Sequence, residues 1–195
     1  MPENDATTLD GRRWRSLLAL PDAITWLALL CGLGALHLAA VSGRLGAAFG
    51  LLFLAAVFDV CDGAVARRLG KARDFGGYFD FMVDTIVFLP AASVVTYQAG
   101  MEVLVLHVLF NSCGALRHAR LLACPGTKKL GLPSTMSGFT FPLVYLVTRW
   151  LDLDPALAFG VWTVVLSAAM ASLVNFRRLP FLAGGVARDG GEVTG

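Results

Sequence analysis

Charged residues are scarce in this chain: Asp, Glu, Lys and Arg make up 15% of its 195 residues, against 56% hydrophobic ones and a mean hydropathy of +0.68. So little polar side chain cannot cover a water-facing globule, which points to the bilayer as the solvent. The long apolar runs also lack the alternation of apolar and polar residues that an outer-membrane barrel needs, so the expected fold is an all-α integral membrane protein. A formal net charge of +2 excludes a global basic field of the kind that binds nucleic acid. The four cysteines have no CxxC spacing and read as small core residues of a reducing compartment. His37, His107 and His118 share no spacing that would build a metal site. No internal repeat is visible.

What is there is a set of six uncharged stretches: 23–43 (21 residues), 45–58 (14), 85–101 (17), 103–116 (14), 130–148 (19) and 155–176 (22). A spanning helix needs about 20 apolar residues. The second can therefore cross only by running on through Asp59 and Asp62, and the third only by starting before Asp80 and Asp84. The fourth has to continue through Arg117 towards Ala123. With these six spans, fourteen of the 16 basic residues fall on one side. Arg44 and Arg149 alone lie on the other. The positive-inside rule then puts both termini, and the loops after the second and fourth spans, in the cytoplasm of a cytoplasmic-membrane protein.

Arg12-Arg13-Trp14-Arg15 ahead of an apolar run has the look of a signal peptide, but the run is too long and Pro21-Asp22 interrupts it. Residues 10–20 read instead as a short interfacial helix, with Trp14 and the leucines on lipid and the arginines near anionic headgroups. Residues 1–9 are expected to be disordered, 10–183 to form a single membrane domain, and 184–195 to be a flexible tail.

Chemistry concentrates between Asp59 and Asp84, in DVCDGAVARRLGKARDFGGYFDFMVD. Asp59 and Asp62 are three apart and Asp80 and Asp84 four apart, so on two helices each pair shares a face and the pairs can converge. A charged side chain at mid-membrane costs about 2.5–3.5 kcal/mol on insertion scales, so four aspartates require a cationic partner. Salt bridges to Arg67, Arg68, Lys71 and Arg73 are one solution. Hard divalent ions, which prefer carboxylate oxygens, are the other.

This segment resembles the signature of the CDP-alcohol phosphatidyltransferase family, Asp-x2-Asp-Gly-x2-Ala-Arg-x8-Gly-x3-Asp-x3-Asp. Asp59, Asp62, Gly63, Ala66, Arg67, Gly76, Asp80 and Asp84 fill every fixed position. The resemblance implies a six-helix membrane fold, often a homodimer, with its metal site near the cytoplasmic surface. It also implies that Asp59, Asp62 and Asp80 bind Mg²⁺ or Mn²⁺, two ions in all, and that Asp84 binds metal while serving as general base. A CDP-diacylglycerol or archaeal dialkylglycerol donor would then contact Asp62, Gly63, Arg67 and Gly76, with Arg73 near its phosphates. Two ions between a pyrophosphate and four carboxylates neutralise the charge that builds up on the leaving cytidine phosphate. Pro21-Asp22-Ala23-Ile24-Thr25 is similar to the family's Pro-Asn-x-x-Thr nucleotide contact and makes Asp22 and Thr25 part of that set. Asp22 departs from the Asn and also suits an N-cap.

The acceptor alcohol is the finer question. Leu116-Arg117-His118-Ala119-Arg120, Gly131-Leu132-Pro133 opening the fifth span and Ser172-Leu173-Val174-Asn175-Phe176-Arg177 closing the sixth resemble the serine-using branch. Serine carries a carboxylate, which suits Arg117, Arg120 or Arg177. Leu121-Leu122 replaces that branch's usual Phe-Asn, and Phe81 its usual small residue. Glycerol 3-phosphate or inositol phosphate would want cations there too. A six-helix cation channel would explain the aspartates but not the Ala66-Arg67 and Gly76 spacing. Gly46-x-x-x-Gly50 permits a close helix contact.

Overall fold

A computed structural model of the chain describes residues 20–68, 74–124 and 130–174. Helix α1 (Leu20–Ser42) turns back at Gly43, whose φ is +62°, into α2 (Leu45–Arg68). Helix α3 (Asp74–Ile86) passes through a π turn (Val87–Ala91) into α4 (Ala92–Gln98), and α5 (Leu104–Ala123), α6 (Met136–Leu151) and α7 (Pro155–Ala171) follow. Because α3, the π turn and α4 form one rod, the described residues make six rods, and the aspartates do lie inside helices that run through them. Three stretches, Pro21–Ser42, Leu45–Ala66 and Gly76–Gln98, are long and apolar enough to cross a membrane, and Pro155–Ala171 is a shorter apolar helix. The interfacial helix expected at 10–20, the N-terminus and the tail lie outside the described residues.

Small residues set the packing. Ala28, Ala35 and Ala39 of α1 and Ala48, Leu52, Ala55 and Ala56 of α2 recur at helical spacing and are buried, so the two backbones approach closely. The π turn is the centre of the core. Pro90 has no N–H for the carbonyl one turn earlier, and the chain widens locally instead of breaking. Three consecutive residues of that turn each face a glycine on a different helix: Val87 meets Gly32 of α1, Phe88 meets Gly138 of α6 and Leu89 meets Gly114 of α5. A Cβ on any of the three glycines would collide with the opposing side chain. The Phe88 carbonyl accepts a hydrogen bond from Ser137 Oγ at 2.8 Å.

Two helix ends differ from the sequence reading. α6 begins at Met136 rather than near Leu130, because Gly131 adopts φ +73° and its N–H bonds the carbonyl of Val174 at 3.0 Å. α7 ends at Ala171, and Ser172 turns extended with ψ 155°, so Ser172–Val174 run beside Gly131 instead of closing the helix. Among the described residues, a Cβ at Gly46 would meet only the Tyr145 hydroxyl and one at Gly50 nothing within 4 Å, so neither glycine is needed for a close helix contact there.

Candidate active site

The start of α1, the C-terminal half of α2, the first half of α3, the C-terminal half of α5 and the start of α6 all reach the same end of the bundle. There Asp59, Asp62 and Asp80 each present a carboxylate oxygen, all within 4.8 Å of one another. Asp84, one turn further along α3, lies in the field of Asp59, Asp80 and Arg117. Both aspartate pairs therefore converge, as their spacing on two helices requires.

Hydroxyl groups from outside the signature orient three of the four carboxylates. Thr25 Oγ1 on α1 donates to Asp62 Oδ2 at 2.5 Å, and Thr135 Oγ1 donates to Asp59 Oδ2 at 2.8 Å. Ser134 Oγ donates to Asp84 Oδ2 at 3.5 Å. Trp26 packs on Phe79 with ring centroids 5.3 Å apart, which holds the start of α1 against α3. The Oδ1 atoms of Asp80 and Asp84 are buried and, among the described residues, have no hydrogen-bond partner. Orphaned carboxylate oxygens in a cluster of like charge are costly unless a cation receives them. The donor set, all hard carboxylate oxygens, fits Mg²⁺ or Mn²⁺.

The other residues singled out from sequence separate into groups. Asp22 is buried beside Asp62, and its Oδ1 would stand 2.9 Å from a Cβ on Gly76, so the missing side chain at Gly76 makes room for Asp22. Gly63 follows Asp62 on α2. The side chain of Arg67, and Arg73 and Arg177 entirely, lie outside the described residues. Arg117 is buried and within electrostatic reach of Asp84. Arg120 lines a small cavity together with Arg117, and its Nη2 donates to the carbonyls of Met170 and Ala171, at 3.0 and 3.1 Å, at the end of α7. Ser134, Thr135 and Thr85 escaped the sequence reading, whose one available signal was the Pro133-Ser134-Thr135 run ahead of α6.

The sequence profile of the family described as CDP-alcohol phosphatidyltransferase matches residues 18–174, four-fifths of the chain and all of the site just described. The chain belongs to the CDP-alcohol phosphatidyltransferase family. It is a transferase of phospholipid synthesis and, with its long apolar helices, an integral membrane protein. Among curated relatives, this phosphatidyltransferase is 29% identical to the archaetidylserine synthase of Methanothermobacter thermautotrophicus over 88% of its own length and 75% of the relative's. It is 32% identical to the CDP-diacylglycerol–serine O-phosphatidyltransferase of Methanocaldococcus jannaschii over 61% of its length and 56% of the relative's. The Mycobacterium leprae protein of that same name is 34% identical over 58% of the chain and 39% of the relative. The phosphatidyltransferase thus spans three quarters of the first relative and about half or less of the other two.

Proposed function

We propose that the chain transfers the phosphatidyl or archaetidyl group of a CDP-linked lipid to the hydroxyl of L-serine, with release of CMP. The observation that carries the acceptor is Arg117, a buried guanidinium facing the end of α3 where Asp84 lies. Arg120 serves α7, so Arg117 is the described cation free in geometry to receive an acceptor carboxylate beside the base. The names of the three relatives favour serine over glycerol 3-phosphate or inositol phosphate.

Asp59, Asp62, Asp80 and Asp84 would hold two divalent ions. When bound, these ions supply positive charge to the pyrophosphate and to the departing CMP. Asp84 accepts the serine hydroxyl proton as the oxygen attacks the lipid-bearing phosphorus, and the bond from that phosphorus to the CMP oxygen breaks. Asp22 and Thr25, at the start of α1, line the nucleotide side of the cluster. The positive-inside count supports a cytoplasmic site, where CDP-lipid and serine meet.

The test is CMP release by purified protein with CDP-diacylglycerol, Mg²⁺ or Mn²⁺ and a panel of alcohols. Serine should be used, and Arg117→Ala should raise the KM for serine by about tenfold or more, the loss of a charge-assisted contact, while leaving that for CDP-lipid unchanged. Turnover of glycerol 3-phosphate or inositol phosphate without serine would refute the acceptor and leave the family standing.

A further inference from the structure

From Asp84 a line of polar groups runs through the protein interior. Ser134 Oγ lies 3.5 Å from Asp84 Oδ2, His118 Nε2 lies 3.0 Å from Ser134 Oγ, and His118 Nδ1 lies 2.9 Å from Thr85 Oγ1. Thr85 Oγ1 also sits 2.8 Å from the Phe81 carbonyl one turn back on α3. Ser134 and His118 are almost wholly buried, and the Phe81 ring packs on the imidazole at 4.8 Å. The line therefore starts and ends on α3, passing through α5 and the segment ahead of α6.

An ionised Asp84 at its head gives the line one direction, and a Thr85 proton kept on the Phe81 carbonyl would give it the other. A serine hydroxyl has one proton, and when that proton faces an ionised Asp84 the serine can only accept from His118, so Nε2 carries the ring proton. In a neutral imidazole Nδ1 is then the acceptor, and the single Thr85 proton, which otherwise goes to the Phe81 carbonyl, is shared with it. From these observations we infer that Ser134 and His118 are positioning residues for Asp84: with the line run towards Asp84, the Ser134 proton meets Oδ2 and His118 holds Ser134 in that orientation. Oδ1, which is buried and has no hydrogen-bond partner among the described residues, is left for the reaction. Phe81, at the position where the serine-using branch usually carries a small residue, packs on the imidazole. The inference rests on the reading of Asp84 as general base, and the assay is arranged so that the two can fail separately.

Ser134→Ala keeps the volume of a fully buried small side chain and removes the donor. In CMP-release assays on the full chain in lipid it should lower kcat about tenfold, as loss of a group orienting a metal or catalytic ligand does, with the KM for CDP-lipid unchanged. His118→Gln, whose amide offers one acceptor and one donor, should retain more activity than His118→Phe. The double variant Ser134→Ala, His118→Phe should be no slower than the worse single variant, since both break one line. Nitrogen NMR of the labelled histidine in bilayers should find His118 neutral with its proton on Nε2. An unchanged kcat in Ser134→Ala, additive losses in the double variant or a proton on Nδ1 would overturn the inference. Asp84→Asn in the same assay isolates the other failure: retained turnover there removes the base itself, whereas a dead Asp84→Asn with a normal Ser134→Ala removes only the positioning role.

Discussion

Asp84 and its three companions differ in what surrounds them. Asp59 and Asp62 are each tied by a threonine, whereas Asp80 and Asp84 keep a buried oxygen without a hydrogen bond among the described residues. Replacing Asp84 by Asn preserves volume and one oxygen but removes the base, so kcat should fall by about 10²–10⁴-fold while CDP-lipid still binds, measurable by CMP release beside equilibrium binding of the lipid. Alanine at Asp59, Asp62 or Asp80 should abolish divalent-dependent activity yet leave membrane insertion intact, because removal of a buried charge lowers its cost. Full CMP release in EDTA would contradict this. Thr25→Val removes the hydroxyl that orients Asp62 and should cost about 1 kcal/mol of stability together with a weaker metal response. The aspartates were legible from sequence because charge inside an apolar stretch stands out at any position. Ser134, Thr135 and Thr85 were not, since hydroxyl residues are common in membrane helices and only the fold shows which carboxylate each one meets.

Helices tell a similar story one level up. Uncharged length was enough to foresee the run of α2 through Asp59 and Asp62, the start of α3 ahead of Asp80 and the end of α5 at Ala123. It could not foresee the late start of α6 or the early end of α7, which follow from one left-handed glycine and the backbone pairing it permits between Gly131 and Val174. Nor could it place the π turn, although Pro90 was its sequence trace. That turn has a measurable signature, because Val87, Phe88 and Leu89 occupy space that Gly32, Gly138 and Gly114 leave open. Gly114→Ala or Gly138→Ala should each destabilise the protein by about 1–3 kcal/mol through overpacking, seen as a lower Tm in detergent. Gly50→Ala, with nothing within 4 Å of its added methyl, should not. Equal loss at all three positions would show that the fit around the turn does not govern these glycines, since alanine on its own favours a helix over glycine.

At the scale of the molecule, every described group assigned to the reaction lies at one end of the rods, and the turns at 43–44, 99–103 and 152–154 lie at the other. If the reacting end faces the cytoplasm, an impermeant maleimide applied to intact cells should label Asp152→Cys in a variant with the native cysteines replaced. In a second variant that keeps Cys124, exposed at the end of α5, as its one cysteine, the reagent should label it only after the cells are opened. The reverse pattern would invert the orientation read from the fourteen-to-two distribution of basic residues.

Asp62 and Asp59 are six and nine residues short of Arg68, where α2 ends, so at 1.5 Å per residue they sit about 9 and 13 Å in from that end of the helix. A donor whose pyrophosphate must reach that depth can keep its hydrocarbon tails among neighbouring lipids while only its head tilts inward. Such a donor arrives by lateral diffusion within the film and not from the aqueous phase. The rate should therefore follow surface dilution: at fixed bulk donor, adding inert detergent or phospholipid ought to slow the reaction in proportion to the falling mole fraction of CDP-lipid, while the water-soluble acceptor obeys its ordinary bulk concentration.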